Sequence, residues 1–166
     1  MQRVLVIGSP GAGKSTLAAA IAGHTGLPVI HLDQHYWRSG WVEPDKEEWA
    51  AHVAALSAGE RWVMDGNYGG TLPLRLGRAD TIVWLDFPVL LCLSRIVRRA
   101  LRYRGRVRPD MAAGCPEQLS WEFISYTARF PWDGRKRITS KLPAFSGALI
   151  RLRTPREAER FLATLA

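Results

Sequence analysis

Five short apolar runs punctuate the chain, at residues 3–7, 28–32, 62–64, 81–85 and 148–152. Each is dominated by β-branched, aliphatic or aromatic residues and bounded by Gly, Pro or charged positions, which predicts short buried strands. The stretches between them mix apolar and polar positions at helical spacing and predict helices at 14–24, 46–56 and 89–103. Further helices are predicted near 117–128 and 132–141, and a last one at 155–165. Strand and helix in alternation predict an α/β fold: about five parallel strands, with right-handed crossovers placing helices on both faces. Chain punctuation agrees with these bounds. Asp45 with Glu48 three residues on reads as a capping box, Pro88 and Pro155 open helices after strands, and Pro116-Glu117 opens another. Asp86 also ends a strand, directly before that proline, and reads as a cap. At 166 residues, all of this fits one domain spanning 1–166.

The first strand runs into VLVIGSPGAGKSTLAAAIAG, beginning at Val4. Gly8-x-x-x-x-Gly13-Lys14-Ser15 is a complete phosphate-loop pattern, here between strand and helix as its mechanism requires. Glycine lets successive backbone N–H groups converge on phosphate oxygens, and the helix that follows directs its positive end at the same anion. Gly8, Ser9, Pro10, Gly11, Ala12, Gly13, Lys14, Ser15 and Thr16 are therefore the expected ATP-binding residues. Lys14 is expected at the β- and γ-phosphates and Ser15 on Mg²⁺. The whole is expected to be a three-layer P-loop NTPase fold.

In such sheets ligands bind beyond the carboxyl ends of the strands, so the residues there carry the next expectations. Strand two ends in HLDQHYW, where Asp33 either faces the γ-phosphate and an acceptor hydroxyl or serves as a turn or cap aspartate. His35 is either a site residue or a surface histidine. Tyr36, Trp37 and Trp41 either stack on a ring or pack a short flap. Strand three ends in WVMDGNYGG, with Asp65 in the position of a Walker-B-type aspartate that holds Mg²⁺ through water.

Charge sharpens one region. The formal net charge is +8, and SRIVRRALRYRGRVR carries Arg95, Arg98, Arg99, Arg102, Arg104, Arg106 and Arg108 before the first acid at Asp110. Such a block serves a solvated face, a nucleic-acid patch or a polyphosphate clamp. The chain has no run of 18 apolar residues, and its N-terminus reads as a strand, which argues against a membrane partner. Cys92 and Cys115 form no framework, which suits the cytoplasm.

Residues 79–100, ADTIVWLDFPVLLCLSRIVRRA, together with VMDGN, resemble adenylate-kinase-like P-loop kinases. LDQHYW, DGNY, GCPE and LIRLRTPREAERFL resemble a narrower subgroup labelled topology modulation proteins. The resemblance implies that Arg95 and Arg99 hold nucleotide as a lid begins, and that residues 102–137 form that lid. Gly105 and Gly114 are its expected hinges, and Arg129, Arg135 and Arg137 its closing charges. It implies substrate contacts by Asp33, His35, Tyr36, Arg38, Asp65, Gly66, Asn67, Tyr68 and Arg75. Asn67, Tyr68 and Gly69 replace the family's Phe-Pro-Arg, so Arg75 and Arg38 stand in for the acceptor-binding arginines. The implied activity is phosphoryl transfer from ATP to a small acceptor, with Lys14, Asp33, Arg95, Arg99, Arg135 and Arg137 catalytic. The competing expectation is a nucleotide-switched DNA-binding protein, which the basic block favours although no recognised DNA-binding motif is present.

Overall fold

The computed structural model describes residues 1–165. Five strands, β1 (Arg3–Gly8), β2 (Val29–His31), β3 (Trp62–Asp65), β4 (Thr81–Leu85) and β5 (Ala148–Leu152), form one sheet in the order β2-β3-β1-β4-β5. All four pairings are parallel. Alternate residues of the central strand build two cores. Val4 and Val6 pack with Leu17, Ala18 and Ile21 of α1 (Lys14–Thr25), with Phe161 of α8 (Pro155–Ala163) and with Cys92 of α5 (Val89–Arg102). Leu5 and Ile7 face the other way, toward Trp49 and Val53 of α3 (Lys46–Ser57) and Ile138 of α7 (Asp133–Thr139). Burial on both faces is why these strands read as unbroken apolar runs.

The five strands fall where the apolar pattern places them, within a residue or two. Two one-turn helices escape it: α2 (Leu32–Tyr36) and α4 (Leu72–Leu76). Each is too short for a helical period to register. The helix expected from 117 starts instead at Trp121 as α6 (Trp121–Arg129), because the Ser120 hydroxyl caps it by accepting from Phe123 N–H at 3.1 Å. Glu117 lies outside any helix and is buried. At α3 the Asp45 carboxylate accepts from the amides of Glu47 and Glu48, but the Glu48 carboxylate pairs with Arg38 rather than returning the bond. Half the capping box is therefore present. Among the described residues no helix is long and apolar enough to cross a membrane.

The chain leaves β1 toward β3 and β2 and later returns to β4 and β5 on its other side. The carboxyl end of β1 is thus the point where strand order reverses, the place such sheets open a crevice for ligand. The phosphate loop occupies it.

Candidate functional site

Two glycines let the loop close tightly over the sheet. Gly8, at φ 146°, sits so close to β4 that a Cβ would meet the Leu85 carbonyl oxygen at 2.2 Å. Gly11, at φ 76°, would put one 2.4 Å from the Cys92 carbonyl oxygen of α5. Neither position admits a side chain. Asn67 locks the start of the loop from the β3 side. Its carboxamide accepts from Gly8 N–H at 3.1 Å and donates to Gly8 C=O at 2.8 Å. Asn67, expected at the substrate, is spent on the loop backbone.

Lys14 opens α1 and donates to the Ser9 carbonyl at 3.1 Å. Desolvation lowers its pKa, while the nearby carboxylates of Asp33 and Asp65 raise it. Ser15 Oγ donates to Asp65 Oδ2 at 2.7 Å. The other oxygen, Oδ1, bonds to Nδ1 of His31, the last residue of β2. That bond holds His31 above its usual pKa against partial desolvation. Strand register produces this cluster, since His31 and Asp65 are directly paired across β2 and β3, and Asp65 faces Val6 of β1. His31 was not among the sequence candidates. The available signal was its place at a strand's carboxyl end, next to an apolar run.

Asp33 follows on α2 and accepts from the Tyr68 hydroxyl at 2.5 Å. Burial and the adjacent carboxylate push the Tyr68 phenol far above its usual pKa, so it stays a donor. Tyr68 holds φ at 32°, a left-handed conformation unusual for a tyrosine. Two supports maintain it. Its ring packs against Tyr36 and Trp49, and Arg75 grips the loop beneath. The Arg75 guanidinium is fully buried and donates to the carbonyls of Gly66 (2.9 Å), Asn67 (2.5 Å) and Tyr68 (3.1 Å). Arg75 therefore shapes the acceptor side from beneath and does not face it, contrary to expectation. Gly66, at φ 129°, packs closely on Leu32.

Arg38 lies apart from this cluster. It pairs with Glu48 on the surface, beside a shallow cleft it shares with His35, Pro44, Trp49 and His52. His35 Nδ1 and His52 Nε2 are 3.3 Å apart there. His35 and Arg38 consequently fall away from the phosphate loop, while Tyr36 packs between Trp37, Trp49 and Tyr68. Trp37 and Trp41 pack on Met111, Ala112 and Cys115. The flap containing these tryptophans is thereby joined to the segment expected to be the lid, and Gly40 N–H donates to Gly114 C=O at 3.0 Å.

The arginines divide by partner. Arg95 donates to Ala12 C=O at 3.0 Å and lies over the Phe87 ring, so it touches the phosphate loop. Arg99, one turn on, is drawn away to Glu117 at 2.9 Å. Glu117 is also ion-paired with Arg108, whose Nε lies 2.7 Å from Oε2 without hydrogen-bond geometry, and its carboxylate is only 3% exposed. Arg108 pairs as well with Asp110 at 2.8 Å. Arg135 of α7 binds Asp86 Oδ1, and Arg151 binds the second oxygen while lying over Trp84. Asp86 thus ties α7 to β5 and caps nothing; α5 begins at Val89, after Pro88, without a side-chain cap. Arg99 and Arg135 anchor the lid through Glu117 and Asp86, and Arg99 is still near enough to Lys14 for its charge to lower the lysine's pKa. Arg129 and Arg137 line a cleft between α6 and α7 with Trp121, Tyr126 and Phe130.

The family model for the ATPase family associated with various cellular activities (AAA) matches residues 4–60, about a third of the chain. No curated protein matches the sequence. Among solved structures, the fold is similar to shikimate kinase from Acinetobacter baumannii in complex with shikimate, at TM-score 0.60 and 17% identity, covering 99% of this chain and 93% of that one. It is similar to a putative kinase from Chloroflexus aurantiacus J-10-fl, at TM-score 0.57 and 16% identity over 99% and 95%. It also resembles deoxyadenosine kinase from M. mycoides with bound dCTP, at TM-score 0.52 and 12% identity over 98% and 97%. The chain has the P-loop, small-molecule-kinase-like α/β fold.

Proposed function

We propose that this chain is an ATP- and Mg²⁺-dependent small-molecule kinase, a single domain over residues 1–166 working in the cytoplasm. In its motifs it resembles the adenylate-kinase-like group and the subgroup labelled topology modulation proteins. One observation carries the reading: Ser15 Oγ of the phosphate loop lies 2.7 Å from Asp65 Oδ2, and Asp65 and Asp33 both act on the Lys14 ammonium. A glycine turn between strand and helix has no structural need to gather a lysine, a hydroxyl and two carboxylates at one point.

In this reading the loop amides and Lys14 bind the ATP phosphates, and Asp33 positions the acceptor. Arg95 and the lid arginine Arg137 balance charge on the moving phosphoryl group. Ser15 and Asp65 suit Mg²⁺, being hard oxygen donors, and this metal characteristically takes one or two protein ligands beside phosphate oxygens. Mg²⁺ would supply charge neutralisation on the transferred group. Of the arginines that suggested DNA, Arg95, Arg99 and Arg108 are bound within the protein. The DNA-binding reading loses support accordingly.

The test is ADP release over a panel of alcohols, sugars, nucleosides and nucleotides, comparing wild type with Lys14→Ala. Removing one preorganised contact of this kind costs about 3–4 kcal/mol of transition-state stabilisation, a loss of several-hundred-fold in turnover. A folded Lys14→Ala protein with wild-type turnover would refute the kinase reading.

A further inference from the structure

Away from the phosphate loop, two imidazoles face each other. His35 lies on the last turn of α2 and His52 on α3, 17 residues on, and His35 Nδ1 and His52 Nε2 stand 3.3 Å apart. Both residues are exposed in the shallow cleft they share with Arg38, Pro44, Glu48 and Trp49. Among the described residues neither ring makes another hydrogen bond, so each is free to change tautomer. Their backbones are held in place. Asp45 caps α3, the buried Trp49 lies beside the His52 ring, and Tyr36, next to His35, packs on Trp49. A hydrogen bond between two neutral rings satisfies this geometry, and so does a shared metal ion. Two Zn–N bonds of about 2.05 Å at the tetrahedral angle hold their nitrogens about 3.3 Å apart. Partial desolvation, then the facing His52, hold the His35 imidazole below its usual pKa, which keeps its lone pair available at neutral pH. Glu48, one helical turn before His52, brings negative charge to the same cleft, where Arg38 pairs with it.

We infer that His35 and His52 together bind a first-row transition cation of the Zn²⁺ class, with water completing its shell. Among the described residues no group of three metal-binding side chains is gathered, so the ion takes two protein nitrogens and keeps open positions. Imidazole suits Zn²⁺, Ni²⁺ and Cu²⁺, whereas Mg²⁺ keeps to oxygen donors. Donor chemistry therefore sends the two kinds of cation to different places, Mg²⁺ to Ser15 and Asp65 and the nitrogen-seeking ion to the histidines. Bound there, the ion joins α2 to α3 across 17 residues of chain and stabilises the folded state by linkage. The helix so clamped is the one that carries Asp33. This site does not depend on the kinase reading above.

Calorimetric titration of the tag-free full chain with ZnCl₂, in excess Mg²⁺, tests it. One Zn²⁺ per chain is expected. His35→Gln and His52→Gln should each weaken that binding at least about tenfold, since either change leaves the ion a single imidazole. Both positions are exposed, so neither change disturbs the core. His24→Gln, at an exposed histidine of α1, should leave the affinity unchanged. Scanning calorimetry reads the clamp separately. Zn²⁺ at about ten times its wild-type Kd should raise the wild-type Tm by about 4 °C, and that of His52→Gln by about a third as much or less. Absence of Zn²⁺ binding at submillimolar concentration would overturn the site. So would binding that survives either substitution, which would put the ion on other ligands.

Discussion

Arg75→Met tests how the acceptor side is built. The substitution keeps an unbranched apolar stem in a fully buried position and deletes the guanidinium with its bonds to the Gly66, Asn67 and Tyr68 carbonyls. Hydrogen bonds to a charged donor contribute about 1.5–3 kcal/mol each, so three amount to roughly 5–9 kcal/mol gross. Against this stands the burial of a charge with no carboxylate beside it. Desolvation brings the Arg75 pKa down to about 10. Removing that charge returns about 3 kcal/mol of the penalty. A net loss of about 2–6 kcal/mol is expected, concentrated at the 66–68 turn. Urea unfolding followed by tryptophan fluorescence measures it, with constant m confirming that the transition is the same. ATP affinity should fall less than turnover, because the turn carries Tyr68 and Asn67 and not the loop amides themselves. A loss under about 1 kcal/mol would refute the reasoning, since three carbonyls cannot be left unpaired so cheaply.

Asn67→Ala should release the phosphate loop at Gly8, raising the KM for ATP about tenfold and costing about 1–2 kcal/mol in thermal or urea denaturation. Asp65→Asn should raise the Mg²⁺ concentration needed for half-maximal turnover while leaving the ATP requirement at saturating Mg²⁺ nearly unchanged; equal losses in both would contradict the separation. Glu117→Gln should cost about 3 kcal/mol, because it takes the carboxylate from the half-buried Arg99 and leaves the buried Arg108 with Asp110 alone. Limited proteolysis should then cut between residues 103 and 117, a segment that stays protected in wild type.

The sheet, its flanking helices and the phosphate loop were legible from one dimension because each is written in local chemistry. A strand buried on both faces must be continuously apolar, and a loop that closes over a carbonyl of β4 and one of α5 must have glycine at Gly8 and Gly11. Asp33 and Asp65 were legible for a related reason, since the carboxyl end of a strand is where a parallel sheet exposes polar groups. The partners of the arginines were not legible. Arg75, Arg99 and Arg135 read alike as phosphate binders, yet the fold commits them to backbone carbonyls, Glu117 and Asp86, none of which is a sequence neighbour. A guanidinium binds carboxylate, carbonyl or phosphate with the same fork of N–H groups, so its role depends on which acceptor the tertiary fold brings within 3 Å. The same holds for His31, meaningful only because parallel register sets it against Asp65, and for Tyr68, whose strained backbone exists only where Arg75 and two aromatic rings support it.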